Sequence, residues 1–153
     1  MMDKRLVALA SFGSLALLLG AFGFEYIGGL APCPMCLWQR WPHAAAFILG
    51  VLIFAGGPRI LAALGAIAAF ITSGIGLFHT GVERGWWEGP TTCTSGPIGD
   101  LTPDELMAQI MEAPLVRCDE VAWEMLGLSM ASWNALFSFA LALIWIAAWR
   151  SRA

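Results

Sequence analysis

Residues 44–79 read AAAFILGVLIFAGGPRILAALGAIAAFITSGIGLFH, and this stretch decides the fold. Two apolar runs are separated only by Gly56-Gly57-Pro58-Arg59. A helix needs roughly 20 apolar residues to cross a bilayer, and each run supplies about that when its flank is included. Pro and Gly stop both helices, and so short a turn forces the second run back antiparallel to the first. Working outward, one span covers residues 37–55, with Gln39, Arg40 and His43 crowded at its start, and the next covers 60–79 and ends on His79. Before them lies an apolar run over 6–27, in which Glu25 is the sole charge. After them lies an uncharged run over 133–149. The expectation is an all-α membrane protein: a four-transmembrane-helix antiparallel bundle occupying 1–153 as a single membrane domain, with outer loops at about 28–36 and 80–132.

Composition agrees. Of 153 residues, 59% are hydrophobic and 12% charged, and mean hydropathy is +0.74. A soluble domain carries about 25% charged residues. The net charge of −3 and the lack of a basic tract give nucleic acid no electrostatic foothold. The first apolar run exceeds the usual signal-peptide core of about 7–15 residues, so an uncleaved first helix is expected. Lys4, Arg5, Arg59, Arg150 and Arg152 fall on one side of such a bundle. Arg40, Arg84 and Arg117 fall on the other, spread over longer loops. Cytoplasmic loops are enriched in Lys and Arg, which places both termini in the cytoplasm. Trp38, Trp41, Trp86, Trp87, Trp133 and Trp149 sit near span ends, as in an interfacial aromatic belt; Trp145 does not fit that pattern.

The long outer loop has internal order. Thr102-Pro103-Asp104-Glu105 forms a capping box with Pro at the first helical position. Leu106, Met107, Ile110 and Met111 follow on one face, and Pro114 ends the helix near Ala113. So short a helix is marginal in water, so it is expected to lie horizontally on the membrane surface or to pack on the bundle mouth. Of the chain's 11 acidic residues, all except Asp3 and Glu25 lie between Glu83 and Glu124, a pattern that suits a solvated loop.

All four cysteines fall in the outer loops: Cys33 and Cys36 in the short one, Cys93 and Cys118 in the long one. An even count confined to one face fits an oxidising compartment. Cys33-Pro34-Met35-Cys36 suits a redox pair, half a zinc site or a soft-metal transport site. Zinc needs four converging ligands, and Cys93 and Cys118 lack paired-knuckle spacing. Metal transport calls for mid-membrane ionisable groups, which the last two spans lack. As a redox pair the motif directly precedes a helix, whose N-terminus favours a thiolate. Arg40 lies one turn after Cys36 on the same face, able either to stabilise a developing anion or to snorkel as an anchor. His79 closes the antiparallel partner span and should end at the same depth, with Glu83 on its face if the helix continues. Cysteines, an arginine and a histidine at one depth, walled by apolar helices, suit a flat acceptor with carbonyl oxygens, such as a quinone.

These residues resemble the disulfide bond formation protein B family, bacterial inner-membrane thiol oxidases. The likeness rests on Pro-Cys-Pro-Met-Cys-Leu-Trp-Gln-Arg at 32–40, on His79, on the two long-loop cysteines and on Trp123-Glu-Met-Leu-Gly-Leu-Ser-Met-Ala-Ser-Trp133. It implies a multi-pass inner-membrane protein with periplasmic cysteine loops, membrane lipid around it and no metal. It implies that Cys33 and Cys36 pass electrons to a membrane quinone, ubiquinone or menaquinone, with Cys36 facing the ring and Arg40 and His79 beside it. It further implies that Cys93 and Cys118 form the loop disulfide that reoxidises a periplasmic thioredoxin-fold dithiol oxidase, Cys93 being the point of attack. Gln39 stands where some members carry Glu. Because exchange needs sulfur contact, the long loop must bring a cysteine to the short one. Two alternatives remain: a vitamin K epoxide reductase type of oxidoreductase, and a non-catalytic protein whose disulfides staple its loops.

Overall fold

The structure, a computed structural model, describes residues 3–90, 93, 102–112 and 116–151. Its elements in chain order are α1 (Lys4–Tyr26), α2 (Pro34–Phe54), α3 (Ile60–Glu83), α4 (Pro103–Glu112), β1 (Glu124–Met125), β2 (Leu128–Ser129) and α5 (Met130–Arg150). Three of these, α1, α3 and α5, are long and apolar enough to cross a membrane. The fourth long helix, α2, falls outside that group because Gln39, Arg40 and His43 dilute its first turns. Four long helices lie over the apolar runs read from sequence, with shifted ends: α1 stops at Tyr26, α2 begins at Pro34, and α3 runs on through His79 to Glu83.

Local chemistry sets these boundaries. Cys33 precedes a proline, which favours extended backbone, and its φ and ψ are −75° and 164°. That makes it the N-cap of α2: its carbonyl accepts from Leu37 N at 3.1 Å, and its sulfur accepts from Cys36 N at 3.3 Å. Pro34 then occupies the first helical position, where no N–H is needed. Ser129 caps α5 in the same way, accepting from Ser132 N. At the tip of the small antiparallel hairpin before it, Leu126 and Gly127 both take positive φ, 55° and 74°, which matches the twist of tight hairpins. The capping box of α4 forms as expected, with Thr102 N and Oγ1 donating to Glu105 Oε2 at 2.8 and 2.6 Å. Met107 and Met111 of α4 are exposed. The helix ends at Glu112; Ala113 and Pro114, the expected stop, lie outside the described residues.

The four long helices close a ring, α1 packing on α2 and α5, and α3 packing on the same two. Lipid supplies little hydrophobic drive between helices, so small residues that permit close approach matter. α3 buries a run of them, including Ala62, Gly65, Ala66, Ala69, Thr72, Ser73 and Gly76. Trp145, the tryptophan outside the belt pattern, is 0% exposed in this core; its indole lies where a Cβ on Gly65 would be 2.7 Å away. Two ends result. At one, Asp3 N donates to Ser151 Oγ at 2.8 Å and the Arg59 guanidinium reaches the Trp149 carbonyl, so the start of α1, the end of α5 and the α2–α3 turn lie together. At the other, Cys33, Met35, Val82, Cys93 and Cys118 form a separate buried cluster.

Candidate active site

Two sulfur pairs meet at that second end. Cys33 and Cys36 are thiols, with Sγ atoms 2.9 Å apart. Cys33 is buried, whereas Cys36 is half-buried. The hydrogen bond with Cys36 and burial both push the Cys33 thiol well above its ordinary pKa, so Cys33 keeps its proton in this state. Cys93 and Cys118 are joined in a disulfide with Cα atoms 5.3 Å apart, and Cys118 N donates to the Cys93 carbonyl at 2.8 Å. Both are fully buried. The Sγ atoms of Cys33 and Cys118 and a ring nitrogen of His79 all lie within 4.8 Å of one another. The long loop therefore does bring a cysteine to the short one, and that cysteine is Cys118. With Cys118 held in a disulfide, this trio is not a set of metal-binding thiolates.

His79 is placed by Gln39. Gln39 Nε2 donates to the Met35 carbonyl at 3.1 Å and lies 3.2 Å from His79 Nδ1. The amide nitrogen can only donate, so His79 Nδ1 accepts and the ring proton sits on Nε2. That Nε2 lies 3.6 Å from Cys33 Sγ and 3.8 Å from Glu83 Oε1, since α3 continues and holds Glu83 on the same face. Gln39 Oε1 in turn accepts from Asn134 Nδ2 of α5 at 2.7 Å, and Thr72 Oγ1 donates to the Gln39 carbonyl at 3.0 Å. One glutamine thus ties α2 to α3 and α5 directly beneath the sulfurs.

On the opposite side of Cys36 lies a cavity of about 390 Å³ between α1, α2 and α5, within the usual range of ligand pockets. Its walls are mainly apolar and aromatic, with Phe24, Trp123 and Phe137 among them; the polar exceptions are Cys36, Gln39, Arg40, His43 and Asn134. Arg40 is held from α1: its Nη1 donates to Glu25 Oε2 at 2.5 Å, and its Cζ lies 4.8 Å from the Phe22 ring centroid. Arg40 Nε is buried without a hydrogen-bond partner among the described residues. Of the residues the sequence marked, Cys36 and Arg40 line this cavity, whereas His79 is not in its wall and stands behind Cys33. Sequence reasoning missed Asn134 and did not assign Gln39 its central place. An asparagine near the start of an otherwise apolar span was the available signal, because polar groups at membrane depth are costly unless paired.

Membrane-length helices carrying a Cys-x-x-Cys thiol pair packed against a disulfide define a helical membrane protein of thiol–disulfide chemistry. The family model described as Disulfide bond formation protein DsbB matches residues 3–148, and the chain belongs to that family. The chain is 28% identical over 155 residues to a disulfide bond formation protein B from Polaromonas sp., covering 94% of this chain and 88% of that one. A protein of the same description from Marinobacter nauticus is 30% identical over 141 residues, covering 86% and 81%. Another from Xanthomonas oryzae pv. oryzae is 32% identical over 124 residues, covering 75% and 72%. No solved structure matches the chain.

Proposed function

We propose that this protein is the quinone-reducing thiol oxidase of a bacterial inner membrane: its four long helices cross the bilayer, its cysteine end faces the periplasm, and it reoxidises a thioredoxin-fold dithiol oxidase. The observation that carries the reading is the adjacency of Cys118 and Cys33, within 4.8 Å, with Cys36 next in line on the wall of an apolar cavity. A staple of loop structure has no need of a second thiol pair in contact with it.

The residues supply a closed cycle. A partner thiolate attacks Cys93 and displaces Cys118 as a thiolate. Cys118 attacks Cys33 of an oxidised Cys33–Cys36 pair, displacing Cys36. The partner's second thiolate takes back its sulfur from Cys93 and leaves as a disulfide. Cys93 then attacks Cys118, restoring the loop disulfide and releasing Cys33. Each step breaks one S–S bond and forms one. The result is a reduced Cys33–Cys36 pair beside an intact Cys93–Cys118 disulfide, the state of these four cysteines in the structure. His79, with its proton on Nε2 near Cys33 Sγ, is placed to stabilise that sulfur whenever it departs as a thiolate. Both loop sulfurs are buried, so partner attack requires the loop to open.

The cavity fits a quinone headgroup in three respects: its size, its apolar and aromatic walls, and the unpaired Arg40 N–H beside Cys36, which suits a carbonyl oxygen. When bound, a quinone supplies the two-electron acceptor that returns Cys33–Cys36 to the disulfide. Arg40, its charge balanced by Glu25, would donate from Nε to the nearer oxygen, and Cys36 would deliver electrons from the end of the helix. The test is anaerobic mixing of the protein with a reduced thioredoxin-fold partner and a quinone, followed by quinone absorbance. Loss of quinone that vanishes with Cys33→Ser, Cys36→Ser, Cys93→Ser and Cys118→Ser alike is expected. Turnover that survives any one of them sinks the cycle.

A further inference from the structure

Cys36, Arg40 and His43 lie at i, i+4 and i+7 of α2, one stripe down the wall of the cavity. His43 is buried and takes no part in the sulfur relay. A chain of hydrogen bonds that starts at a main-chain carbonyl, which can only accept, sets its proton. The Met35 carbonyl accepts from Gln39 Nε2, so Gln39 turns its Oε1 to Asn134. That oxygen accepts from Asn134 Nδ2, so Asn134 turns its Oδ1 to His43 Nε2, 2.8 Å away. Ser138 Oγ donates to the same Oδ1 at 3.2 Å. Neutral His43 therefore carries its proton on Nε2 and has a bare lone pair on Nδ1. That Nδ1 is buried and meets no donor among the described residues.

The stripe thus holds complementary unpaired groups, an N–H on Arg40 and an acceptor on His43 about 4.5 Å of helix rise deeper; both atoms are covered in this structure, so a ring in the cavity reaches them only by displacing the side chains over them. A quinone matches only the first, because both its oxygens are acceptors and the deeper one would face the Nδ1 lone pair. The hydroquinone matches both. Its nearer oxygen can still accept from Arg40, and its deeper O–H can donate to His43.

We propose that His43 is a ligand-binding residue of the cavity that accepts a hydrogen bond at Nδ1 from a hydroxyl of the reduced ring, so that the site favours hydroquinone over quinone. This rests on the quinone reading above. The electron count is that of the final step. The Cys33–Cys36 dithiol gives up two electrons and two protons and becomes a disulfide, and the ring gains both as two O–H groups. An interaction made only with the product form draws that step forward, since a ligand shifts an equilibrium by its differential affinity.

The probes are a short-chain ubiquinone and its hydroquinone, titrated anaerobically against the full chain in detergent and followed by tryptophan fluorescence. Oxidised protein is paired with the quinone and fully reduced protein with the hydroquinone, so that neither mixture reacts. His43→Leu is expected to weaken hydroquinone binding about tenfold, the equivalent of one net hydrogen bond, and to change quinone binding less than twofold. Equal effects on both forms, or none on either, overturn the proposal. A second measurement needs no variant. The chain has two histidines, and in a ¹⁵N-histidine spectrum the bare Nδ1 of His43 should shift on adding hydroquinone to reduced protein and stay put on adding quinone to oxidised protein. An unmoved Nδ1 with bound hydroquinone overturns the proposal even if His43→Leu does not fold. If the wild-type protein binds neither form, the quinone reading itself falls, and this inference with it.

Discussion

Replacing Gln39 with leucine tests the central tie of the site. Gln39 is 6% exposed and makes two side-chain hydrogen bonds between helices, to His79 of α3 and to Asn134 of α5. Such bonds average about 0.6 kcal/mol each within membranes, so their direct loss amounts to about 1.2 kcal/mol. The orphans add to this. Asn134 Nδ2 keeps Thr72 Oγ1 at 3.2 Å, so its cost is small. His79 Nδ1 is left with no donor in a buried place, at about 1–3 kcal/mol. The Met35 carbonyl belongs to the helix and loses only a second donor. The sum is about 2–4 kcal/mol, or roughly 30- to 1000-fold in the folded-to-unfolded ratio. The assay is reversible unfolding in mixed micelles by added SDS, read by far-ultraviolet circular dichroism. The same variant frees the His79 ring to turn, so exchange between the loop disulfide and Cys33 should slow as well. An unfolding free energy within about 0.5 kcal/mol of wild type, the range of an ordinary surface substitution, would refute the hydrogen-bond assignments and the histidine tautomers derived from them.

Three further outcomes are expected. Glu25→Gln removes the charge that holds Arg40; with side chains 13% and 21% exposed, the pair is mostly buried, so stability should fall by about 1–3 kcal/mol. Quinone-dependent turnover should drop while thiol exchange among the cysteines persists, and an unchanged turnover would detach Arg40 from the acceptor. Gly65→Ala places a methyl 2.7 Å from the buried Trp145 indole and should cost about 1–3 kcal/mol by overpacking. Gly74→Ala, where nothing lies within 4 Å, should cost nothing by the same unfolding assay; equal effects would contradict the packing. Arg117 donates to Asp119 at 2.9 Å beside Cys118 and holds that carboxyl below its ordinary value of 3.8. A depressed acid stabilises above its unfolded pKa and loses that contribution as pH falls through the folded one. Hydrogen-exchange protection of the Cys118 amide, corrected for intrinsic rate, should therefore be flat above about pH 4 and decline below it, and should weaken in high salt; protection that rises on acidification would reverse the sign.

The sequence by itself determined the local facts. Apolar runs bounded by Gly56-Gly57-Pro58-Arg59 set the helices and the hairpin, because backbone hydrogen bonds in a helix are satisfied within a few residues. Cys33-Pro34 set the start of α2, and Thr102 to Glu105 set the start of α4, because caps are short-range chemistry. The spacings of four that put Arg40 over Cys36 and Glu83 over His79 were readable for the same reason. The tertiary structure alone decided which side chains meet across helices. It paired Arg40 with Glu25, turned His79 behind Cys33 and out of the cavity wall, and ran the Gln39–Asn134–His43 chain through the interior. It also chose Cys118 as the sulfur beside Cys33. Those contacts join residues 15, 40, 91 and 95 positions apart, a range over which no periodicity carries information. They exist because small residues let α3 and α5 approach closely, and because a polar group inside a membrane protein must find its partner on a neighbouring helix.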